Sequence, residues 1–231
     1  MKLIKIILLF CSLSCIGQVK NGTVEYGLSI EMLEGLKENG SLKKQYLKAV
    51  NNAQYLTFNL VFDKQNSFFS LNKGLEIGEN INQLAIVASG YKGVIYQTKD
   101  FALSELDKSF GNFLLKNEIY EWTLVNETKK IEGFLCYKAT AIKTIINTKG
   151  TFKFPVIAWY CPKIPLSFGP NGFGDLPGLI LELQVRNVLF GVKKIELNLN
   201  NPPVLPKIKE YKIIDEKELE KMIAKISDFK N

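Results

Sequence analysis

Few residues in this chain could do chemistry, because it contains no histidine. Histidine is the base of Ser-His-Asp and Cys-His catalytic sites and a common ligand of zinc. We therefore expect none of these sites, no bound metal and no cofactor. Asp175 and Glu182 remain as a candidate acid and base of a hydrolase, provided that their carboxylates lie about 5–10 Å apart. A turn aspartate and a strand glutamate are the simpler interpretation, since their spacing matches no motif.

Two cysteines, Cys136 and Cys161, follow the N-terminal segment. If residues 148–149 form a two-residue loop between two strands, the two cysteines face each other and a disulfide is geometrically possible. Residues 147–150 better fit a type I turn that ends in a left-handed glycine, which shifts the register by one residue and separates them. The sequence therefore favours two separate buried thiols, with the disulfide as the alternative. A catalytic thiol is disfavoured because no histidine can pair with it.

The N-terminus has the pattern of a secretory signal peptide. Lys2 and Lys5 precede an apolar stretch that is too short to span a bilayer. Small residues at positions 15 and 17 predict cleavage after Gly17, and a lipid anchor on Cys15 is less favoured because Ser12 stands where leucine is required. We expect residues 1–17 to be removed and residues 18–231 to form a single domain. That domain, without a membrane span, is expected to be periplasmic or secreted.

The net charge of +7 is dispersed along the chain. Lysines occur in separate pairs, and Arg186 is the single arginine. A nucleic-acid groove requires a concentrated basic surface, so we expect no nucleic-acid partner.

Short segments rich in aromatic and β-branched residues predict a sheet. They cover residues 24–30, 55–62, 67–71, 93–97, 119–124, 134–145, 151–161, 179–185 and 192–199. Short turns between them indicate antiparallel pairing. Residues 41–50 have the spacing of one short internal helix. The fold class that follows is a β-rich α+β domain with a strongly curved antiparallel sheet, resembling a half-barrel, and a C-terminal amphipathic helix.

The C-terminal helix is predicted to start near residue 215, after three prolines. Its apolar stripe consists of Leu219, Met222, Ile223, Ile226 and Phe229. Such a stripe more often packs against the protein's own sheet than against a partner, and we expect the former.

The most distinctive segment, residues 157–182, is predicted to be a strand, a loop braced by glycine and proline, and a second strand. Within the loop, residues 176–179 fit a type II turn, because Pro177 presets a negative φ and Gly178 supplies a positive one. We call residues 162–178 the signature loop.

The segment resembles the GLPGLI family, exported proteins of Gram-negative bacteria that have no established general function. Residues 127–139 are similar to the family's ETKxIxGYxCxKA element, and residues 158–170 to its AWYTxxIPxxxGP element. Asp175 replaces the first glycine of the name motif, Phe134 replaces a tyrosine, and Cys161 replaces a threonine.

A non-enzymatic binding or carrier module of the bacterial envelope is the favoured function. By fold analogy alone, export and the antiparallel pattern resemble curved half-barrel lipoprotein carriers. The ligand would be apolar or a peptide. The residues expected around its mouth are Trp159, Tyr160, Pro165, Phe168, Gly169, Pro170, Phe173, Asp175, Leu176, Pro177 and Gly178. An interaction or structural component of an envelope or secretion assembly, contacting an envelope protein, is the alternative, and the carboxylate hydrolase is less favoured.

Overall fold

The structure is a computed structural model of the 231-residue chain, and it describes residues 19–33, 40–72, 79–147 and 150–228. The expected signal peptide and its cleavage site lie outside the described residues.

A single open sheet of twelve strands is the main structural element of the described molecule. The strands are β1 (Asn21–Ile30), β2 (Thr57–Asp63), β3 (Asn66–Leu71), β4 (Ile95–Thr98), β5 (Ala102–Glu105), β6 (Phe113–Lys116), β7 (Thr123–Ile131), β8 (Phe134–Asn147), β9 (Gly150–Cys161), β10 (Leu179–Val185), β11 (Val188–Leu197) and β12 (Lys212–Ile214). Their order across the sheet is β12, β6, β5, β4, β3, β2, β1, β11, β10, β9, β8, β7. Neighbours are antiparallel except β12 and β6, which are parallel.

The β-rich α+β architecture with an open, curved sheet confirms the predicted fold class. The internal helix is α1 (Gly40–Ala53), and the C-terminal helix is α3 (Glu216–Asp228). A second internal helix, α2 (Glu79–Ala88), and strands β5, β6 and β12 were not predicted. The strand expected over residues 119–124 begins only at Thr123, because the chain before it leaves the sheet.

The main core lies on one face of the sheet. Along β1, Val24, Tyr26 and Leu28 are buried with the alternation of a strand that is covered on one side. The rings of Phe58 and Phe69 stack in this core with centroids 5.3 Å apart. Burial of each large apolar side chain contributes about 1.5–3 kcal/mol to the stability of the fold, so packing on this face of the sheet stabilises the domain.

The C-terminal helix packs against the sheet, as its apolar stripe indicates. The Asp215 side chain accepts a hydrogen bond of 2.8 Å from the Glu218 N–H and caps the first turn. Leu219 is buried in a small cluster with Ile214 of β12 and Leu115 of β6. In the same stripe Ile223 is 48% exposed. The side chains of residues 226 and 229 lie outside the described part.

The hairpin of β8 and β9 has the register of a two-residue connection, because Asn147 pairs with Gly150 and Tyr137 with Tyr160. The favoured prediction of a register shifted by one residue was therefore wrong. Continued by one residue, the observed register places Cys136 opposite Cys161. Both cysteines are buried with free thiols, so the two buried thiols that were predicted are present, at facing positions of the hairpin rather than on opposite faces.

Candidate functional site

The signature loop lies against the core. Four of the side chains expected at a ligand mouth are at most 6% exposed, namely Tyr160, Phe168, Phe173 and Leu176. Gly169, Pro170 and Gly178 are also buried, whereas Pro165, Asp175 and Pro177 are exposed and Trp159 is half-buried. These aromatic rings therefore contribute to folding, and in this conformation they line no opening.

The turn at the end of the signature loop differs from the predicted type II turn. Gly178 does not have a positive φ, and instead Asp175 does, at 64°. Glycine is needed at position 178 for space, since an added Cβ would lie 2.3 Å from the carbonyl oxygen of Cys161. Although Asp175 is exposed, its carboxyl is partly desolvated by the loop, which raises the pKa of that carboxyl above its usual range.

Glu182 lies in an ion-pair network around Trp159. Lys129 Nζ is 2.6 Å from Glu182 Oε1 and 4.4 Å from the centre of the Trp159 ring. Lys138 Nζ lies 5.9 Å from the same ring and 2.9 Å from Glu127. Glu182 is thus bound to an ammonium group while Asp175 lies exposed in the loop, which does not support the acid and base pair of a hydrolase.

The signature loop holds the chain that leads into β7. The ring of Tyr120 stacks on Phe173 with centroids 4.5 Å apart and an interplanar angle of 12°. Trp122 Nε1 donates a hydrogen bond of 2.8 Å to the carbonyl oxygen of Gly174. Because of these contacts, the segment 118–122 packs against the signature loop, and the chain joins the sheet only from Thr123 onward.

One edge of β8 is consequently left open. β7 pairs with β8 from Ile131 opposite Phe134 to Thr123 opposite Thr140. Beyond Thr140, in the part of the chain that the structure describes, residues 141–147 of β8 pair with β9 alone. We call this edge the open β8 edge.

The direction of the backbone groups along the open β8 edge follows from the pairing. Ile142 faces Pro155, and the Pro155 carbonyl accepts a hydrogen bond of 3.1 Å from Arg186 N–H on the far side of β9. This pair is therefore not hydrogen-bonded, and in an antiparallel ladder such pairs alternate with bonded ones. The N–H and C=O groups of Ile142 and Thr144 thus point away from β9, toward the open edge.

A groove of about 770 Å³ runs along the open β8 edge. The segment 118–121 forms one wall, and β8 and β9 form the other. The groove is partly apolar, since Ile119 and Ile142 are 66% and 57% exposed. Exposed isoleucines beside unpaired backbone groups are typical of a surface that binds an extended chain.

Carboxylates dominate the charge of the groove lining. Glu118 and Glu121 lie on one wall, and the ammonium group of Lys138 on the other wall is paired with Glu127. Burial raises the pKa of Tyr120, and a hydrogen bond with Glu118 raises it further, so the phenol stays protonated. The groove lining is therefore rich in carboxylates and partly apolar, and Lys143 of β8, whose ammonium group interacts with Glu118, lies between two of its lining residues.

The sequence did not reveal this groove. The segment 119–124 was predicted as a strand because it is rich in aromatic and β-branched residues, yet the rings of Tyr120 and Trp122 contact the signature loop and hold the chain away from β8. The one indication in the sequence was a difference in length. The strands predicted over residues 134–145 and 151–161 are about twice as long as the strand predicted over residues 119–124, so that strand could pair with only part of β8.

The family described as "Protein of unknown function (Porph_ging)" matches residues 147–182, which form β9, the signature loop and the start of β10. No curated protein matches the chain. Among solved structures, PNGF-II in its P21 crystal form superposes with a TM-score of 0.52 at 16% identity over 89% of this chain. PNGF-II in its C2 form gives 0.51 at 14% identity. This likeness concerns the fold alone, and the chain spans 33% of the length of PNGF-II.

In the described ranges, no helix combines the length and the apolar character needed to cross a membrane.

Proposed function

We propose that this protein is a non-enzymatic binding module that takes up an extended peptide as an added strand along the open β8 edge. The observation that carries the proposal is the outward direction of the Ile142 and Thr144 backbone groups within a groove of about 770 Å³. In strand addition, main-chain hydrogen bonds supply affinity, and pockets for alternate side chains supply specificity.

The groove favours a peptide in which apolar and basic residues alternate. Side chains of an added strand point to opposite faces in turn. One set would contact Ile119 and Ile142, and the other would meet the carboxylates of Glu118 and Glu121. Because the carboxylates of the groove are negatively charged, they also favour association of a basic peptide over that of an acidic peptide.

The same surface accommodates the second candidate function, an interaction component of an envelope or secretion assembly, if the peptide is a segment of an envelope protein. A carrier of a buried apolar ligand has less support, because the rings that would line its cavity, such as Phe58 and Phe69, stack on one another. The hydrolase has less support still, since Glu182 is paired with Lys129.

Membership of the GLPGLI family and export from the cytoplasm belong to the same proposal. They are supported by the motifs in residues 127–182 and by the signal-peptide pattern of residues 1–17. The mature domain would then comprise residues 18–231 and act in the periplasm or outside the cell. Expression in a Gram-negative host tests this, because the exported protein should begin at Gln18, and a chain that retains Met1 in the cytoplasm would contradict it.

The peptide site is tested with a fluorescent probe of alternating lysine and valine, about seven residues long, which is a typical strand length. We expect saturable binding by fluorescence anisotropy, and weaker binding of the matched glutamate and valine peptide. Thr144→Pro removes an outward N–H group without removing a bond to β9, and should weaken binding at least about tenfold, or about 1.4 kcal/mol.

Lys153→Pro is the matched control. Lys153 faces Thr144 across the hairpin, and its own N–H points to the opposite edge. Proline is tolerated at such positions, as Pro155 on the same edge shows. This variant should bind the probe about as well as the unmodified protein. Equal weakening by the two prolines, or no saturable binding of the probe, would contradict the proposed site.

A further inference from the structure

Cys136 and Cys161 lie at facing positions at the start of the signature loop, and both thiols are free in the structure. The register of β8 and β9 places the two residues directly opposite each other, one position beyond Tyr137 and Tyr160. Facing residues of antiparallel strands have Cα atoms about 4.5–5.5 Å apart, within the range of about 4.4–6.8 Å that disulfides span. Both side chains are 0% exposed.

The backbone on the Cys161 side of this pair is held in place. The Cys161 carbonyl accepts a hydrogen bond of 3.1 Å from the Ile164 N–H. Gly178 packs directly against the same carbonyl and leaves no room for a side chain. On β8, the Cys136 thiol also lies 3.6 Å from the Phe134 carbonyl oxygen. The backbone positions of the two facing cysteines are therefore held in place by these contacts.

We propose that Cys136 and Cys161 form an intramolecular disulfide that joins β8 to β9 at the start of the signature loop. The oxidant is a low-molecular-weight or protein disulfide of an oxidising compartment. The thiolate of one of the two cysteines attacks one sulfur of that disulfide, and the other sulfur leaves as a thiolate that takes up a proton. The second cysteine then loses its proton and attacks the sulfur of the first, which releases the second thiol. Two cysteine thiols are oxidised by two electrons, and one external disulfide is reduced to two thiols.

Neither thiol is accessible to an external disulfide once the protein has folded, since both side chains are 0% exposed. Because neither sulfur is accessible in the folded protein, the bond forms while the chain folds, and it then resists reduction by external thiols.

The disulfide would close the hairpin at its base. It would enclose the segment that carries the open β8 edge and fix the point where the signature loop leaves β9. A crosslink of this kind stabilises the protein by restricting the unfolded chain. This role does not depend on the proposed peptide site.

The test is peptide mapping of the full chain after folding in a glutathione and glutathione disulfide buffer. Remaining thiols are alkylated and the unreduced protein is digested with trypsin. Cys136 then lies on the peptide Ile131–Lys138, Cys161 on Phe154–Lys163, and Cys11 and Cys15 together on Ile6–Lys20. We expect the first two peptides to be linked, with a mass about 2 Da below their sum because two hydrogen atoms are lost.

Recovery of both peptides in fully alkylated form would overturn the proposal, and so would linkage of either one to Ile6–Lys20. In the Cys136→Ser control, the peptide Phe154–Lys163 should appear alkylated. The oxidised protein should also melt several degrees above the same protein unfolded, reduced, alkylated and refolded. Equal melting temperatures would overturn the stabilising role.

Discussion

The ring of Tyr120 lies flat on the ring of Phe173, with centroids 4.5 Å apart. This contact links the signature loop to the chain that precedes β7, and it explains how a loop filled with buried side chains can shape a surface. The loop holds the segment 118–122 at a distance from β8, and the groove along the open β8 edge lies between them.

Removal of the Phe173 ring should destabilise the protein strongly. Phe173 is 3% exposed, and truncation of a buried phenylalanine costs about 3–5 kcal/mol. We expect Phe173→Ala to lower the free energy of unfolding by this amount in a urea titration. Phe152→Ala is the matched control, because Phe152 is 40% exposed on the hairpin and should cost clearly less. Similar losses for the two variants would contradict the packing of the loop.

Hydrogen exchange should alternate along the open β8 edge. Lys143 and Ile145 are directed toward β9 and hydrogen-bonded to it, whereas the Ile142 and Thr144 N–H groups point outward. We expect the first two amides to exchange at least about tenfold more slowly than the second two, which corresponds to about 1.4 kcal/mol of opening free energy. NMR of the uniformly labelled protein resolves these amides. Equal protection of all four would show that another segment covers the edge.

Gly178 should not tolerate a side chain. Its added Cβ would collide with the Cys161 carbonyl, and overpacking of this kind costs about 1–3 kcal/mol. We expect Gly178→Ala to lower the free energy of unfolding accordingly. Gly191→Ala in β11 is the control, because an added Cβ there meets no atom within 4 Å and should change stability little. If both variants unfold at the same urea concentration, the steric explanation is wrong.

Lys143 gives a pH-dependent prediction. Burial, with a contribution from Lys92, lowers the pKa of its ammonium group, while Glu118 and Glu216 oppose this effect. The folded state therefore binds this proton less tightly than the unfolded state, and stability rises with pH as it passes from the lowered pKa toward the ordinary value near 10.5.

Lys143→Met tests this dependence, since methionine keeps the length of the side chain without its charge. The variant should be more stable than the unmodified protein at pH 7, where the full cost of the buried charge is present. The advantage should shrink as the pH approaches 10.5. Thermal unfolding of both proteins across this range measures it, and an advantage that grows with pH would reverse the sign of the argument.

Strand and helix positions were largely predictable because they rest on local patterns. The apolar alternation of β1 and the aromatic residues of β2 mark buried strands at any position in a fold. Strands β5 and β6 were missed because the first contains no aromatic or β-branched residue and the second only Phe113, whereas β4, equally short, contains three such residues. The register of β8 and β9 was wrongly predicted because the two turn types considered differ by one residue, and packing of the whole hairpin selects between them.

The sequence by itself determined the antiparallel, strand-rich architecture, the C-terminal helix and the lack of imidazole chemistry, since composition and short periodic patterns are sufficient for each. Only the tertiary structure decided that the aromatic residues of the signature loop lie in the core, that Cys136 faces Cys161, and that an edge of β8 remains open. These features depend on which distant segments meet. The residues next to a given residue in the sequence indicate that it will be buried or paired. Which residue becomes its partner is set by packing between distant segments, as with Phe173 and Tyr120.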